Sequence, residues 1–207
     1  MRDASATRGR LLAAAMAVFA ETGYAGATTR AIAERAGVNE VTLFRHFGSK
    51  ADLMTEALAS QLGKLTPQFA APSGDIEQDL VRVVTAYQEI VGSHARFIIS
   101  VLSDVPRFPE LKAVADVPRA MIAAAAGMIA RYQQQGLLQD EAAPVVAASL
   151  LTPLLFLASV RQAAPDLIGS GIDPVQHVRR FLHGRLVAPR PPVAARRRAA
   201  QSAQSSR

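Results

Sequence analysis

TTRAIAERAGVNEVTLFRHFGSK, residues Thr28 to Lys50, is the stretch that decides the fold of this chain. Its breaks and apolar positions describe two short helices joined by a tight turn. A hydroxyl at Thr28 or Thr29 can accept from a free backbone N–H and start the first helix, which carries Ile32, Ala33 and Ala36 along one side. Gly37 stops it, because a glycine just past a helix end enters the left-handed region without a Cβ penalty. Asn39 then caps the second helix. That register puts Val38 at N′ and Leu43 at N4, the pair that packs as a hydrophobic staple and fixes the entry angle. Leu43 and Phe47, four residues apart, share the packing face, while Val41 and Arg45 share the opposite face with Thr42 beside them. Arg can bond guanine O6 and N7, and Val or Thr can meet a thymine methyl, so the presented face suits base edges in a major groove. Ser49 and Asp52 have capping-box spacing and open another helix, whose N-terminal N–H groups and Lys50 can hold a phosphate. The pattern therefore predicts a helix-turn-helix on double-stranded DNA rather than two surface helices around a glycine turn.

Flanking residues extend the pattern. Gly23-Tyr24, Thr28-Thr29-Arg30, Ile32-Ala33, Ala36-Gly37-Val38, Thr42-Leu43-Phe44, His46-Phe47 and Ser49-Lys50 occur in order. On these residues, Thr7 to about Leu65 resembles the N-terminal domain of the TetR/AcrR family of bacterial transcriptional regulators. Two positions depart from the family's pattern. Phe44 stands where Tyr is usual, so a phenolic hydroxyl able to bond a phosphate is missing and only van der Waals contact to the backbone remains. Val41 stands where a small residue is common. The resemblance implies an all-helical C-terminal domain for ligand binding and dimerisation, and a repressor on a pseudo-palindromic operator. Base readout is assigned to Arg30, Val41, Thr42 and Arg45, and backbone contact to Thr29, Phe44, His46 and Lys50. Thr28 and Asn39 complete the DNA-binding set as the caps that hold these helices in place.

Composition limits what else the chain can be. It has 207 residues, half of them apolar, enough to bury a real core across one small and one mid-sized helical module. With no cysteine, a disulfide scaffold and a thiolate metal site are excluded, and a reducing, cytoplasmic setting fits. The net charge of +6 invites a nucleic-acid reading on its own, but its distribution does not. Residues 1–64 carry eight basic and six acidic residues, 65–188 ten and eleven, and 189–207 five and none. Most of the charge is the tail, so the DNA argument rests on the motif.

Two stretches mimic other things. Arg2, Arg8 and Arg10 ahead of LLAAAMAVFA resemble a signal peptide, yet Leu12, Met16 and Phe19 at helical spacing make the same residues the first helix of the DNA unit, closed by Thr22-Gly23. Ala142 to Val160 is nineteen residues without a charge. Pro144, Pro153 and the lack of anchoring residues at both ends favour a buried helix over a membrane span.

The expected fold is all-α: a three-helix helix-turn-helix domain over 1–65, a helical effector-binding and dimerisation domain over 66–188, and a disordered basic tail over 189–207. Pro67, Pro72 and Gly74 mark the boundary. Helices are expected from Asp75 to about Val91, His94 to Ser103, Val117 to Gln135, Asp140 to about Ala163 and, with Pro174 at N1, Asp173 to about Val187. The last two are the expected homodimer surface, through Leu150, Leu151, Leu154, Leu155, Val178, Phe181, Leu182 and Leu186. Tyr87, Phe97, Val101, Phe108, Met121, Met128 and Phe156 could enclose an apolar or aromatic effector, with Tyr87, His94 or Arg161 as polar anchors; the alternative is that they fill the core. Arg196, Arg197 and Arg198 read as a solvated tail before a non-specific DNA contact.

Signatures of chemistry are missing: no GxSxG, no phosphate-loop glycines, no HExxH and no carboxylate cluster at metal spacing. His177 and His183 are separated by roughly 120° around a helix and do not pair. No enzyme, no metal and no cofactor is expected. The rival to a ligand-responsive regulator is a helical dimer that coats DNA or docks a protein without an effector.

Overall fold

The computed structural model describes residues 2–70, 72–167, 169 and 171–186. The basic tail with Arg196, Arg197 and Arg198 lies outside them, as does Val187. Among the described residues all regular structure is helical, apart from one isolated antiparallel bridge between Leu138 and Leu186. The α-helices are α1 (Arg2–Gly26), α2 (Thr29–Arg35), α3 (Glu40–Phe47), α4 (Lys50–Leu62), α5 (Thr66–Ala70), α6 (Ile76–Asp104), α7 (Asp116–Gln134), α8 (Ala143–Ala163) and α9 (Pro174–Leu182), with 3-10 turns at Gly63–Leu65, Pro109–Ala115 and Pro165–Leu167. This is the all-α class expected: a three-helix helix-turn-helix unit followed by a helical C-terminal part.

Helix α1 turns sharply at Gly23, with φ 67° and ψ 179°, where the sequence places its end. Helix α6 differs from expectation. It runs 29 residues without a break, through Gly92-Ser93, where two helices were expected. A mid-helix glycine costs about 1 kcal/mol relative to alanine, so local propensity alone argues for a stop. The neighbouring helix α8 decides otherwise: Gln162 Nε2 donates to the Gly92 carbonyl at 3.0 Å, and the Arg161 guanidinium passes close to the glycine.

Boundaries at the far end also moved. Helix α8 starts at Ala143, with Pro144 in its first turn, instead of at Asp140. Proline suits that turn because its missing N–H has no helical partner there anyway. The residues before it are tied down by the Gln133 amide, which donates to the carbonyls of Gln139 and Glu141 at 3.0 and 2.8 Å. Helix α9 ends at Leu182 and not near Val187, because Gly184 takes φ 83° and the chain folds back so that Gln139 N donates to the Arg185 carbonyl at 2.9 Å.

Packing centres on α6, which lies against α1, α8 and α9, while α8 also packs on α7. One core runs through both parts of the chain, from Leu11 and Phe19 of α1 through Phe97 and Val101 of α6 to Leu150 and Leu154 of α8. That core corrects the expected dimer surface. Leu150, Leu151, Leu154, Val178, Phe181 and Leu182 are all buried within the single chain, so a second copy has nothing of them left to cover. Periodicity alone could not tell which side of a helix apolar nearly all round would face inward. Leu155 is half-buried and Leu186 exposed. The apolar side chains that α8 does present are Val145 and Phe156, 66% and 62% exposed. By length and composition two segments, Pro109–Gln134 and Ala143–Ala163, are apolar enough to cross a membrane. Both place their buried faces against other helices of the bundle.

Candidate nucleic-acid interface

Local chemistry builds the α2–α3 unit as the sequence specifies. Thr28 Oγ1 accepts from Ala31 N at 3.1 Å, Gly37 turns the chain at φ 67°, and Asn39 Oδ1 accepts from Val41 N at 2.9 Å. Leu43 is fully buried and Val38 half-buried beside the core, the placement required of the staple. Ser49 caps α4 reciprocally: Asp52 N donates to its Oγ at 3.0 Å, and the hydroxyl donates to Asp52 Oδ2 at 2.6 Å. Three consecutive caps leave little freedom in how α3 leaves the turn.

The outward face of α3 follows from that register. Val41 is 73% and Phe44 45% exposed, so α3 presents two apolar side chains on its outer face. Arg45 is exposed and makes no ion pair among the described residues, and Thr42 and His46 are half-buried beside it. Arg30 is exposed on α2 and paired with Glu34 at 2.9 Å, and the Thr29 hydroxyl donates to the Glu40 carboxylate across the turn. On the inner side Leu43 and Phe47 are buried, with the Arg8 guanidinium 4.8 Å from the Phe47 ring centroid and paired with Glu56.

This unit has known relatives. Residues 11–57 match the family described as bacterial regulatory proteins, tetR family. The chain is 34% identical over 95 residues to YvkB of Bacillus subtilis, an uncharacterised HTH-type transcriptional regulator, covering 46% of this chain and 50% of that one. It is 32% identical over 110 residues to KstR2 of Mycobacterium tuberculosis, an HTH-type transcriptional repressor, covering 49% and 55%. Residues 11–57 carry the N-terminal unit of the TetR family. It spans about half the length of the curated relatives it matches. Solved structures extend the likeness in fold: a Rhodococcus transcriptional regulator superposes with a TM-score of 0.67 at 23% identity over 88% of this chain and 99% of that one. A Saccharomonospora viridis chain crystallised in complex with choline gives 0.67 at 22% identity, over 89% and 100%.

Within the TetR-family unit one expected backbone contact is corrected. Lys50 does not point outward from the start of α4. Its ammonium donates to the carbonyls of Tyr24 and Ala27 at 2.8 and 3.0 Å and lies 4.0 Å from the Tyr24 ring centroid. Two carbonyls freed by the α1–α2 turn outcompete solvent for it, and burial lowers its pKa while Glu110 and Asp104 push the other way. Residues that the sequence reading missed come from α1. Thr7 and Arg10 line a shallow polar groove together with Asn39, Thr42, Arg45 and His46, so the first helix adds a second cation beside Arg45. The signal available was the i, i+3 spacing of Thr7 and Arg10, which bond at 3.3 Å.

A buried joint ties this unit to α6. Asp104, near the end of α6, accepts from Tyr24 N at 2.7 Å just after the Gly23 turn, and a Cβ at Gly23 would stand 3.4 Å from that carboxylate. Ser100 Oγ donates to the Phe19 carbonyl at 3.2 Å. Phe19 stacks on Phe97, and Tyr24 tilts against Phe108 with centroids 5.1 Å apart. The tyrosine hydroxyl's pKa is raised by burial and by the nearby Glu110 carboxylate.

The residues expected around an effector are not brought together. Phe97 and Phe108 serve this joint instead, Tyr87, Val101 and Met128 are closed into the core, and Phe156 faces outward. Burial pushes the Tyr87 phenol up to about 12. Four border open space in three separate places: Met121 at an apolar groove between α4, α5 and α7, His94 and Phe97 together at one between α1 and α6, and Arg161 at a cavity between α6 and α8.

Proposed function

We propose that this chain is a dimeric transcriptional repressor that reads a pseudo-palindromic operator through two copies of α3 and is released from it by a small ligand. The observation that carries the reading is the exposed Val41, Phe44 and Arg45 on a helix fixed at both ends by capping and stapling. Two apolar side chains displayed beside an arginine without an ion pair among the described residues suit a major groove with its thymine methyls and guanine edges. In this reading Arg30, Val41, Thr42 and Arg45 face bases. Thr29, Phe44 and His46 meet the backbone, joined by Thr7 and Arg10, and Thr28 and Asn39 hold the frame.

The division of labour follows the chain: 1–65 reads DNA, and 66–188 dimerises and binds the effector, in the cytoplasm where the DNA is. Dimerisation uses the outer face of α8, around Val145 and Phe156, because those side chains are apolar and uncovered. A neighbour in fold solved with choline supports small-molecule binding by such an architecture. The ligand acts by preferring a dimer whose two reading heads are wrongly spaced for successive major grooves.

The test is recovery of genomic fragments by the purified protein at about 150 mM salt, where non-specific phosphate binding is weak. One or a few fragments sharing an inverted repeat are expected. Many unrelated fragments, or none, favour a DNA-coating or protein-docking dimer instead.

A further inference from the structure

We infer that the cavity between α6, α8 and the segment before α9 is a binding site for a small apolar monocarboxylate, with Arg161 as the residue that holds its charge. The cavity measures about 220 Å³. Val91 of α6, Leu154 and Leu157 of α8 and Ile172 contribute hydrocarbon to its lining, while Arg161 and Gln88 are its polar side chains and more of the exposed lining is polar than apolar.

The arginine lies close to the backbone of two neighbouring segments. Its guanidinium runs between two glycines: a Cβ at Gly171 would lie 2.7 Å from Nη1, and one at Gly92 would lie 3.9 Å from Nη2. Gly171 has φ 91°, a conformation open to glycine, so the backbone turn itself calls for glycine where the guanidinium passes. Gln88 fixes the opposite wall, its Nε2 donating to the Ile172 carbonyl at 2.9 Å. Gln162, next to Arg161, bonds Gly92.

What the guanidinium lacks is an anion. Arg8, Arg30, Arg35, Arg82, Arg107, Arg119, Arg179 and Arg185 each pair with a carboxylate. Arg161 is half-buried and has neither an ion pair nor a hydrogen bond among the described residues. A partly desolvated guanidinium beside aliphatic walls favours a ligand that returns one negative charge in a planar, two-oxygen form and brings hydrocarbon with it. A carboxylate does both. A phosphate dianion would leave a second charge unmatched against Leu154 and Leu157. A cavity of about 220 Å³ favours a short-chain or single-ring acid.

The site gives a chemical class to the ligand invoked above, and its regulatory meaning rests on that reading; its occupancy does not. The experiment is thermal unfolding of the full chain with butyrate, hexanoate, octanoate and benzoate, each against its primary amide and against sodium chloride at equal ionic strength. At least one acid should raise the Tm saturably while its amide and chloride do not. Arg161→Met should weaken that acid about ten- to a hundredfold, and Arg161→Lys, which keeps the charge but not the fork, should fall between. Each variant's own Tm and far-UV circular dichroism report whether it has folded. A response shared by acid, amide and chloride, no response to any acid, or an unchanged response in Arg161→Met overturns the site. Operator binding with the stabilising acid is measured separately: release makes it an effector, whereas binding without release keeps the site and removes its regulatory role.

Discussion

Arg45 carries its function through what it does not touch. Exposed on α3 with no ion pair among the described residues, it suits a two-pronged bond to a guanine. Arg45→Ala should cost about 1–3 kcal/mol on the operator and little on random DNA. Anisotropy titrations on both sequences check this, and equal losses would remove its base-reading role. Asp104 is the opposite case, a buried carboxylate whose value lies in one backbone N–H. Asp104→Ala strands the Tyr24 amide beside the Gly23 turn and should cost about 1–3 kcal/mol in urea unfolding. An unchanged midpoint would mean that the amide has found another acceptor.

Helix α6 shows how an element can override its own sequence. Its glycine at 92 persists because α8 bonds the carbonyl, while a Cβ there meets nothing nearer than 3.9 Å. Gly92→Ala should therefore stabilise the chain by about 0.5–1 kcal/mol, read from the thermal midpoint. A loss instead would show that Arg161 needs the space. At the start of the same helix Asp79 is fully buried, accepting from Tyr132 Oη and Ser73 N and paired with Arg82 at 2.9 Å. Burial raises its pKa, but these bonds together outweigh it and hold the carboxyl below its ordinary 3.8. The unfolded chain then binds the proton first on acidification, so this contribution is present above pH 3.8 and is lost as pH falls through the lower folded value. Asp79→Asn should be less stable than the parent near neutrality, with the gap narrowing below pH 4; a gap independent of pH would assign the cost to packing alone.

For the whole molecule, the open question of assembly falls on the outer face of α8. Phe156 is 62% exposed and contributes little to the fold of one chain. Phe156→Arg should leave monomer stability within about 0.5 kcal/mol while shifting sedimentation toward monomer and weakening operator binding with it. A dimer that survives this change uses another face. The joint of Tyr24, Lys50, Asp104 and Phe108 belongs to this scale too, since it makes the reading unit and α6 one packed body.

The reading unit was legible in the sequence because its geometry is local. Thr28, Gly37, Asn39 and Ser49 each act within three residues of themselves, through caps and one left-handed turn, and the burial of Leu43 and exposure of Val41 follow from a register those residues set. The long-range choices were not legible. Whether Gly92 breaks a helix, which side of α8 faces inward, where the Lys50 ammonium turns and which of the candidate effector residues border open space all depend on partners far away in the chain. An apolar pattern says that a face will be buried, but only packing decides against what.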